Sequence, residues 1–193
     1  MNPIIFASNN AHKLEEIRAL AGEQLPVISM AEAGITVDIP EPWPTFRQNA
    51  LQKCETIYRL TGQDCFAEDS GLETDALGGE PGVFSARYAG EPVNHDANIN
   101  LLLQRMKTAV VRTARFRAVI CCIINGEPHY FEGVCEGSIS DKRMGNSGFG
   151  YDPVFIPEGF SETFAQMGAE QKNAMSHRKK AFNKLFLFLM TNR

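Results

Sequence analysis

Four groups of residues in this 193-residue chain combine types and spacings that can do chemistry. The first is Ser8-Asn9-Asn10-Ala11-His12-Lys13, a polar loop just ahead of a helical pattern. A helix start offers backbone N–H groups and the positive end of the dipole. With an early lysine, the segment outlines an anion site, although a capped helix with a solvated lysine reads the same way. It is not a P-loop, because GxxxxGK[ST] occurs nowhere in the chain. The second group is Glu68-Asp69-Ser70-Gly71, which follows the apolar run Cys65-Phe66-Ala67. Two adjacent carboxylates at a strand end repel each other and call for a cation. Mg2+ suits them, since it prefers oxygen ligands and needs few from protein. A turn with Asp69 as its Asx cap is the alternative. Glu41, inside the stiff segment Pro40-Glu41-Pro42-Trp43-Pro44, supplies a third carboxylate if the fold brings it close.

The third group is Gly148-Phe149-Gly150-Tyr151-Asp152-Pro153. Glycines beside two aromatics suit a wall on which a planar base stacks, a contact worth about 1–3 kcal/mol per base in nucleic-acid sites. A glycine-rich turn whose aromatics belong to the core is the competing reading. The fourth group is Lys172 with Ser176-His177-Arg178, basic residues on or just before the first turn of the last helix. The helix dipole disfavours cations there, which points to an anionic or carbonyl-rich ligand; a solvated basic face is the common alternative. Jointly, basic loops for phosphates, carboxylates for a metal and a Gly/aromatic wall for a base describe a nucleoside triphosphate site.

The elements that must position these groups are legible. Ile4-Ile5-Phe6-Ala7 reads as a buried strand, followed by a helix with Leu14, Ile17 and Ala21 on one face and a second strand over residues 25–28. This β-loop-α-β opening is the unit of a parallel layer. Thr45 with Gln48 makes a capping box for a helix whose apolar side holds Ala50, Leu51, Cys54, Ile57, Tyr58 and Thr61, and Gly62 stops it. Cys65-Phe66-Ala67 is a short strand, and residues 96–106 form a third helix. Asn125-Gly126 between the strands 115–124 and 130–138 is a hairpin signal. Val154-Phe155-Ile156 is a further strand. A last helix from Ser176, an N-cap candidate, buries Ala181, Phe182, Leu185, Phe186 and Leu189. No repeat and no linker divides the chain, so residues 1–193 are expected to form a single α/β domain, an elongated mixed sheet with flanking helices.

Composition bounds the function. Hydrophobic residues at 44% and charged residues at 22% are globular values. A formal charge of -4 leaves no overall basic field for nucleic acid. Apolar runs such as 185–190 are far too short to span a bilayer. Met1-Asn2-Pro3 runs into the first strand without a basic leader, so no signal peptide is expected. Five cysteines without CxxC or Cys/His spacing argue for reduced thiols in a cytoplasmic protein and against zinc.

From Ile4 to about Leu185 the chain resembles the inosine/xanthosine triphosphate pyrophosphatase family, which removes non-standard purine nucleotides. The resemblance rests on Ala7-Ser8-Asn9-Asn10 with Lys13; Thr45-Phe46 with Asn49-Ala50 and Lys53; and Asp69-Ser70-Gly71-Leu72. It continues through Leu77-Gly78-Gly79 with Pro81-Gly82, Ser85-Ala86-Arg87-Tyr88, Gly148-Phe149-Gly150-Tyr151-Asp152-Pro153-Val154-Phe155 and Ser176-His177-Arg178, all in family order. It implies two lobes around a deep active-site cleft, a homodimer, and Mg2+-dependent hydrolysis of ITP, dITP and XTP to the monophosphate and pyrophosphate. It further implies Asp69 as general base and metal ligand, Glu41 as second metal carboxylate, and Glu68 as a further metal carboxylate. Ser8, Asn9, Asn10, Ala11, His12 and Lys13 would hold phosphate, with Lys53 nearby and Ser70 on the substrate. Phe149, Gly150, Tyr151 and Asp152 would hold base and sugar, with Lys172, His177 and Arg178 completing the pocket and the Arg178 guanidinium donating to a 6-oxo group.

Two positions depart from the family pattern. Glu68 stands where bacterial members usually carry Asp, and Gln48 replaces the Glu of Phe-x-Glu-Asn-Ala. If that Glu holds the metal, Gln48 weakens the site; if it caps the helix, Gln48 serves equally well. Two rivals remain at this level: a Maf-type nucleotide pyrophosphatase of related fold, and a catalytically silent nucleotide-binding protein.

Overall fold

An apolar run without alternation must be covered on both faces, and Ile4-Ile5-Phe6 is such a run. In the computed structural model, which describes residues 3–192, it forms β1 (Ile4–Phe6), buried throughout. Met1 and Asn2, read above as leading into this strand, lie outside the described residues. The chain continues through α1 (Ala11–Ala21), β2 (Val27–Ser29), α2 (Phe46–Thr61), β3 (Cys65–Thr74), α3 (His95–Arg105), β4 (Thr113–Ile124), β5 (Glu127–Ile139), β6 (Phe155–Pro157), α4 (Ala169–Met175) and α5 (His177–Asn192). The six strands form one sheet in the order β2-β1-β3-β4-β5-β6. β1 is parallel to β2 and β3, and β6 is antiparallel to β5, so the sheet is mixed, as expected. Asn125 (φ 51°) and Gly126 (φ 87°) make the two-residue turn between β4 and β5. Positive φ at both positions is what a hairpin turn matched to strand twist demands, hence Asn-Gly.

The described residues divide into two compact units, one comprising residues 3–69, 118–133 and 178–192, the other residues 70–117 and 134–177. No linker marks the division, because β3, β4 and β5 each run from one unit into the other.

In the first unit, strand alternation sorts side chains into two layers. Ile4 and Phe6 join Ile17 and Ala21 of α1, Phe66 of β3, and Phe182, Leu185 and Leu189 of α5. Phe6 and Phe66 stack with centroids 4.8 Å apart. Ile5 and Ala7 join Cys65 and Ala67 of β3 and Ala50, Cys54 and Ile57 of α2 on the other side. The core of the second unit gathers Leu72, Ile99, Leu102, Phe116, Phe155 and Phe164.

α2 starts as its sequence dictates: the Thr45 side chain accepts from Gln48 N–H, and its hydroxyl donates to Gln48 Oε1 at 2.7 Å. Gln48 therefore serves the helix start. Gly62, left-handed at φ 64°, ends the helix. Two elements differ from expectation. β3 runs ten residues, so Glu68-Asp69-Ser70-Gly71 lies within the strand and not in a loop beyond it. α4 is a separate seven-residue helix, which puts Lys172 in its last turn, where the dipole favours a cation.

Candidate active site

The first unit carries a charged cluster whose layout follows from β3. Glu68 shares a face with Phe66, toward α1 and α5, while Asp69 shares a face with Cys65 and Ala67, toward α2. The two carboxylates therefore point into opposite layers. Pleating separates the two carboxylates and so reduces the repulsion expected from their adjacency. Glu68 is fully buried and takes a bidentate pair from Arg178 on α5, Nε to Oε2 at 2.7 Å and Nη2 to Oε1 at 2.9 Å. Lys13 Nζ lies 3.4 Å from Glu68 Oε1, and Arg178 Nη1 also donates to Glu16 of α1. Burial alone would push the guanidinium's pKa down, but Glu68 and Glu16 outweigh it and hold it above its ordinary value. Nε, Nη1 and Nη2 each donate one of the guanidinium's five N–H bonds to a carboxylate, so Glu68 and Glu16 fix the orientation of the Arg178 side chain.

On the opposite face, Asp69 Oδ2 accepts from Asn49 Nδ2 at 3.0 Å. Lys53 Nζ lies 3.9 Å from Asp69 Oδ1, donates to the Glu68 carbonyl at 2.9 Å and pairs with Glu41. Burial pushes the Asp69 carboxyl above its usual value, opposed by Lys53 and Lys13 and aided by Glu41. Glu41 sits on the proline-rich connector ahead of α2, which is fastened to that helix. The Asn49 side chain bonds both Trp43 N–H and Trp43 C=O, and Gln52 Nε2 donates to Pro40 C=O at 2.9 Å. Among the described residues, no group of three or more His, Cys, Asp and Glu could hold a metal ion. Glu41 and Asp69 nevertheless pair with one ammonium, and two carboxylates are a donor set that a hard divalent ion accepts, with waters as its other ligands.

The loop before α1 presents Ser8, Asn9 and Asn10, and Ala11, His12 and Lys13 form the helix's first turn. Asn10 Oδ1 accepts Lys13 N–H at 3.1 Å, and Ser8 Oγ accepts Asn10 N–H at 3.2 Å. The loop, the helix start and Lys13 thus stand together as one segment, with Asn10 as the helix's N-cap.

The second unit carries an aromatic and acidic cluster. Asp152 is buried, with Oδ2 accepting Phe149 N–H at 2.9 Å and Lys172 Nζ at 2.7 Å. Lys172 also stands 5.0 Å from the Phe149 ring centroid, a cation–π distance. Phe149 and Gly150 are half-buried, whereas Tyr151 is core, its hydroxyl donating to the Ser85 carbonyl at 2.9 Å. Burial raises the Tyr151 hydroxyl's pKa, keeping it a donor. His177 stacks on Phe116 with centroids 4.9 Å apart and planes 12° from parallel. Ser70 follows Asp69 in β3, partly buried.

Gly148, at φ +79°, favours glycine: a Cβ there would meet Asp152 Oδ2 at 2.1 Å, so that carboxylate would have to shift. Gly148→Ala is expected to cost about 1–3 kcal/mol of stability through left-handed strain and the displaced carboxylate. Thermal unfolding checks this; an unchanged melting temperature would mean the loop relaxes freely.

Sequence reasoning assigned no role to Asn49, Glu16 or Trp43. The signal for Asn49 lay in α2, where Asn49 and Lys53 stand at i and i+4 directly beside the buried Ala50, Cys54 and Ile57.

The Ham1 family profile matches residues 4–188. The chain is similar to the dITP/XTP pyrophosphatase of Porphyromonas gingivalis, with 48% identity over 191 residues and 98% of each chain covered. It is similar to that of Flavobacterium psychrophilum at 45% identity, covering 96% of this chain and 97% of the relative. Among solved structures, the Staphylococcus aureus Ham1 protein superposes with a TM-score of 0.91 at 38% identity over all of both chains. The nucleoside-triphosphatase, or dITP/XTP pyrophosphatase, of Mycobacterium abscessus gives 0.80 at 37%, covering 95% and 98%. With a profile match over nearly its whole length and relatives of this similarity, the chain belongs to the Ham1 family.

Proposed function

We propose that this protein hydrolyses the non-standard purine nucleotides dITP, ITP and XTP between the α and β phosphates, giving the monophosphate and pyrophosphate in a Mg2+-dependent reaction. The observation that carries the reading is the buried Asp69, held by Asn49 and faced by Lys53 and Glu41, in a chain whose relatives are named for this activity. Coverage of the whole chain by Ham1 relatives favours it over the Maf-type reading. The family resemblance supports a homodimer and a cytoplasmic location, and no helix among the described residues is long and apolar enough to cross a membrane.

Glu41 and Asp69 would hold Mg2+, which supplies Lewis-acid neutralisation of phosphate charge. Lys13, Lys53 and the first-turn N–H groups of α1, with Ser8, Asn9, Asn10 and His12, hold the phosphates, and Ser70 touches the substrate. Asp69 takes a proton from water through a carboxylate oxygen. The water oxygen bonds to the α-phosphorus as the bond to the α–β bridging oxygen breaks, and pyrophosphate leaves with that electron pair. Burial, by raising the carboxyl's pKa, makes Asp69 a better base than an exposed aspartate. Glu68, engaged by Arg178, is better placed to fix that side chain than to bind metal.

Phe149 stacks on the base, while Gly150, Tyr151, Asp152, Lys172 and His177 shape its pocket. A 6-oxo purine offers an acceptor where adenine offers a 6-amino donor. The family resemblance assigns Arg178, whose orientation Glu68 and Glu16 fix, as the donor to this oxygen. A donor facing adenine's amino group loses about 1–3 kcal/mol, and each 1.4 kcal/mol is about tenfold. ITP and XTP are therefore expected to exceed ATP in kcat/KM by at least about tenfold. Steady-state kinetics on the three nucleotides tests this, and equal values for ITP and ATP would remove the base-selection argument.

A further inference from the structure

We propose that Asn49 is the positioning residue of the metal and base site, one amide fixing the Asp69 carboxylate relative to the connector that bears Glu41. This rests on the function proposed above and adds a residue to its machinery.

The amide's orientation is set by its partners. Trp43 N–H can only donate, so it must face Asn49 Oδ1, and it does so at 2.9 Å. The NH2 group is thereby turned toward two acceptors, Trp43 C=O at 3.1 Å and Asp69 Oδ2 at 3.0 Å. Both N–H bonds are used, and a flipped amide would set NH2 against N–H. Asn49 is fully buried, so water does not replace these partners.

The connector has few other ways to be held. Prolines at 40, 42 and 44 donate no hydrogen bond, which leaves the backbone N–H groups of Glu41 and Trp43 as its donors from 40 to 44. Asn49 takes the second of these together with the Trp43 carbonyl, and Gln52, one turn on, takes the Pro40 carbonyl and the Trp43 indole N–H. Glu41 lies between those two anchors. Asn49 hydrogen-bonds both the connector's backbone and Asp69, beside Lys53, whose flexible ammonium pairs with Glu41 and lies 3.9 Å from Asp69, so the short buried amide sets how the two carboxylates that suit a divalent ion stand to each other. Groups that orient metal-binding carboxylates typically change metal affinity or activity by 10–100-fold when removed.

The test is Mn2+ binding to the nucleotide-free protein, followed by electron paramagnetic resonance, together with dITP kinetics at saturating Mg2+ and thermal melting. In folded Asn49→Ala, the Mn2+ Kd is expected to rise and kcat to fall by about 10–100-fold each, with KM for dITP moving by less. If Asn49→Ala does not fold, Asn49→Asp replaces it. It keeps the shape and the acceptor for Trp43 N–H but loses the donor facing Asp69, and kcat is expected to fall by a similar factor. A folded variant with Mn2+ Kd and kcat within about twofold of the parent would overturn the proposal, and failure of both variants to fold would reduce Asn49 to a purely structural residue. A parent that binds Mn2+ but leaves dITP intact would refute the functional reading alone.

Discussion

Asp69→Asn is expected to lower kcat/KM for dITP by about 100- to 10,000-fold while the protein stays folded. The substitution keeps volume and hydrogen-bonding shape but removes both the charge and the basic lone pair. Asn49 Nδ2, 3.0 Å from Oδ2, can still donate to an amide oxygen, so the local packing is retained. Lys53 keeps Glu41 and the Glu68 carbonyl as partners, so no buried cation is abandoned. The loss therefore falls on chemistry and metal binding. Circular dichroism and melting establish the fold, and kinetics with dITP gives the factor. Turnover within a few-fold of the parent would exclude Asp69 as the base.

The largest stability effect is expected from Glu68→Ala, at about 3–5 kcal/mol. The Arg178 guanidinium is almost wholly buried and makes a bidentate pair with Glu68. Removing that partner breaks the pair and leaves a buried cation that the Glu16 contact at Nη1 does not replace. Replacing both residues, Glu68→Leu with Arg178→Met, leaves no buried charge between them. That double variant is expected to be less destabilised than the sum of the two single ones, because charge-free packing is tolerated where a broken pair is not. Urea unfolding of the variants reads this directly. A cost below about 1 kcal/mol for Glu68→Ala would mean that the pair behaves as a solvated surface bridge.

What the sequence revealed and concealed follows the range of the forces involved. The Asn125-Gly126 turn, the Thr45 cap and the buried stripe of α5 are set by neighbours within a few residues, and each was legible. The course of β3 was not. Glu, Asp and Gly are poor strand residues, so an end at Ala67 was the local inference. The strand continues because Glu68 meets Arg178, 110 residues away, and Asp69 meets Asn49, 20 residues away. Once it continues, alternation sends the two carboxylates to different layers, which adjacency in sequence does not reveal. α4 has no buried residue and so offered no periodic signal. Tyr151 and Phe149 look alike in sequence, and only packing makes one of them core and leaves the other half-buried.

The most direct measurement of the central claim is product identity. The protein is incubated with dITP and Mg2+, and the nucleotides and phosphates are resolved by ion-exchange chromatography. Equimolar dIMP and pyrophosphate, with no dIDP at any time point, is the predicted result. Accumulation of dIDP with inorganic phosphate would place cleavage at the wrong anhydride, and intact dITP would leave a nucleotide-binding protein without the proposed activity.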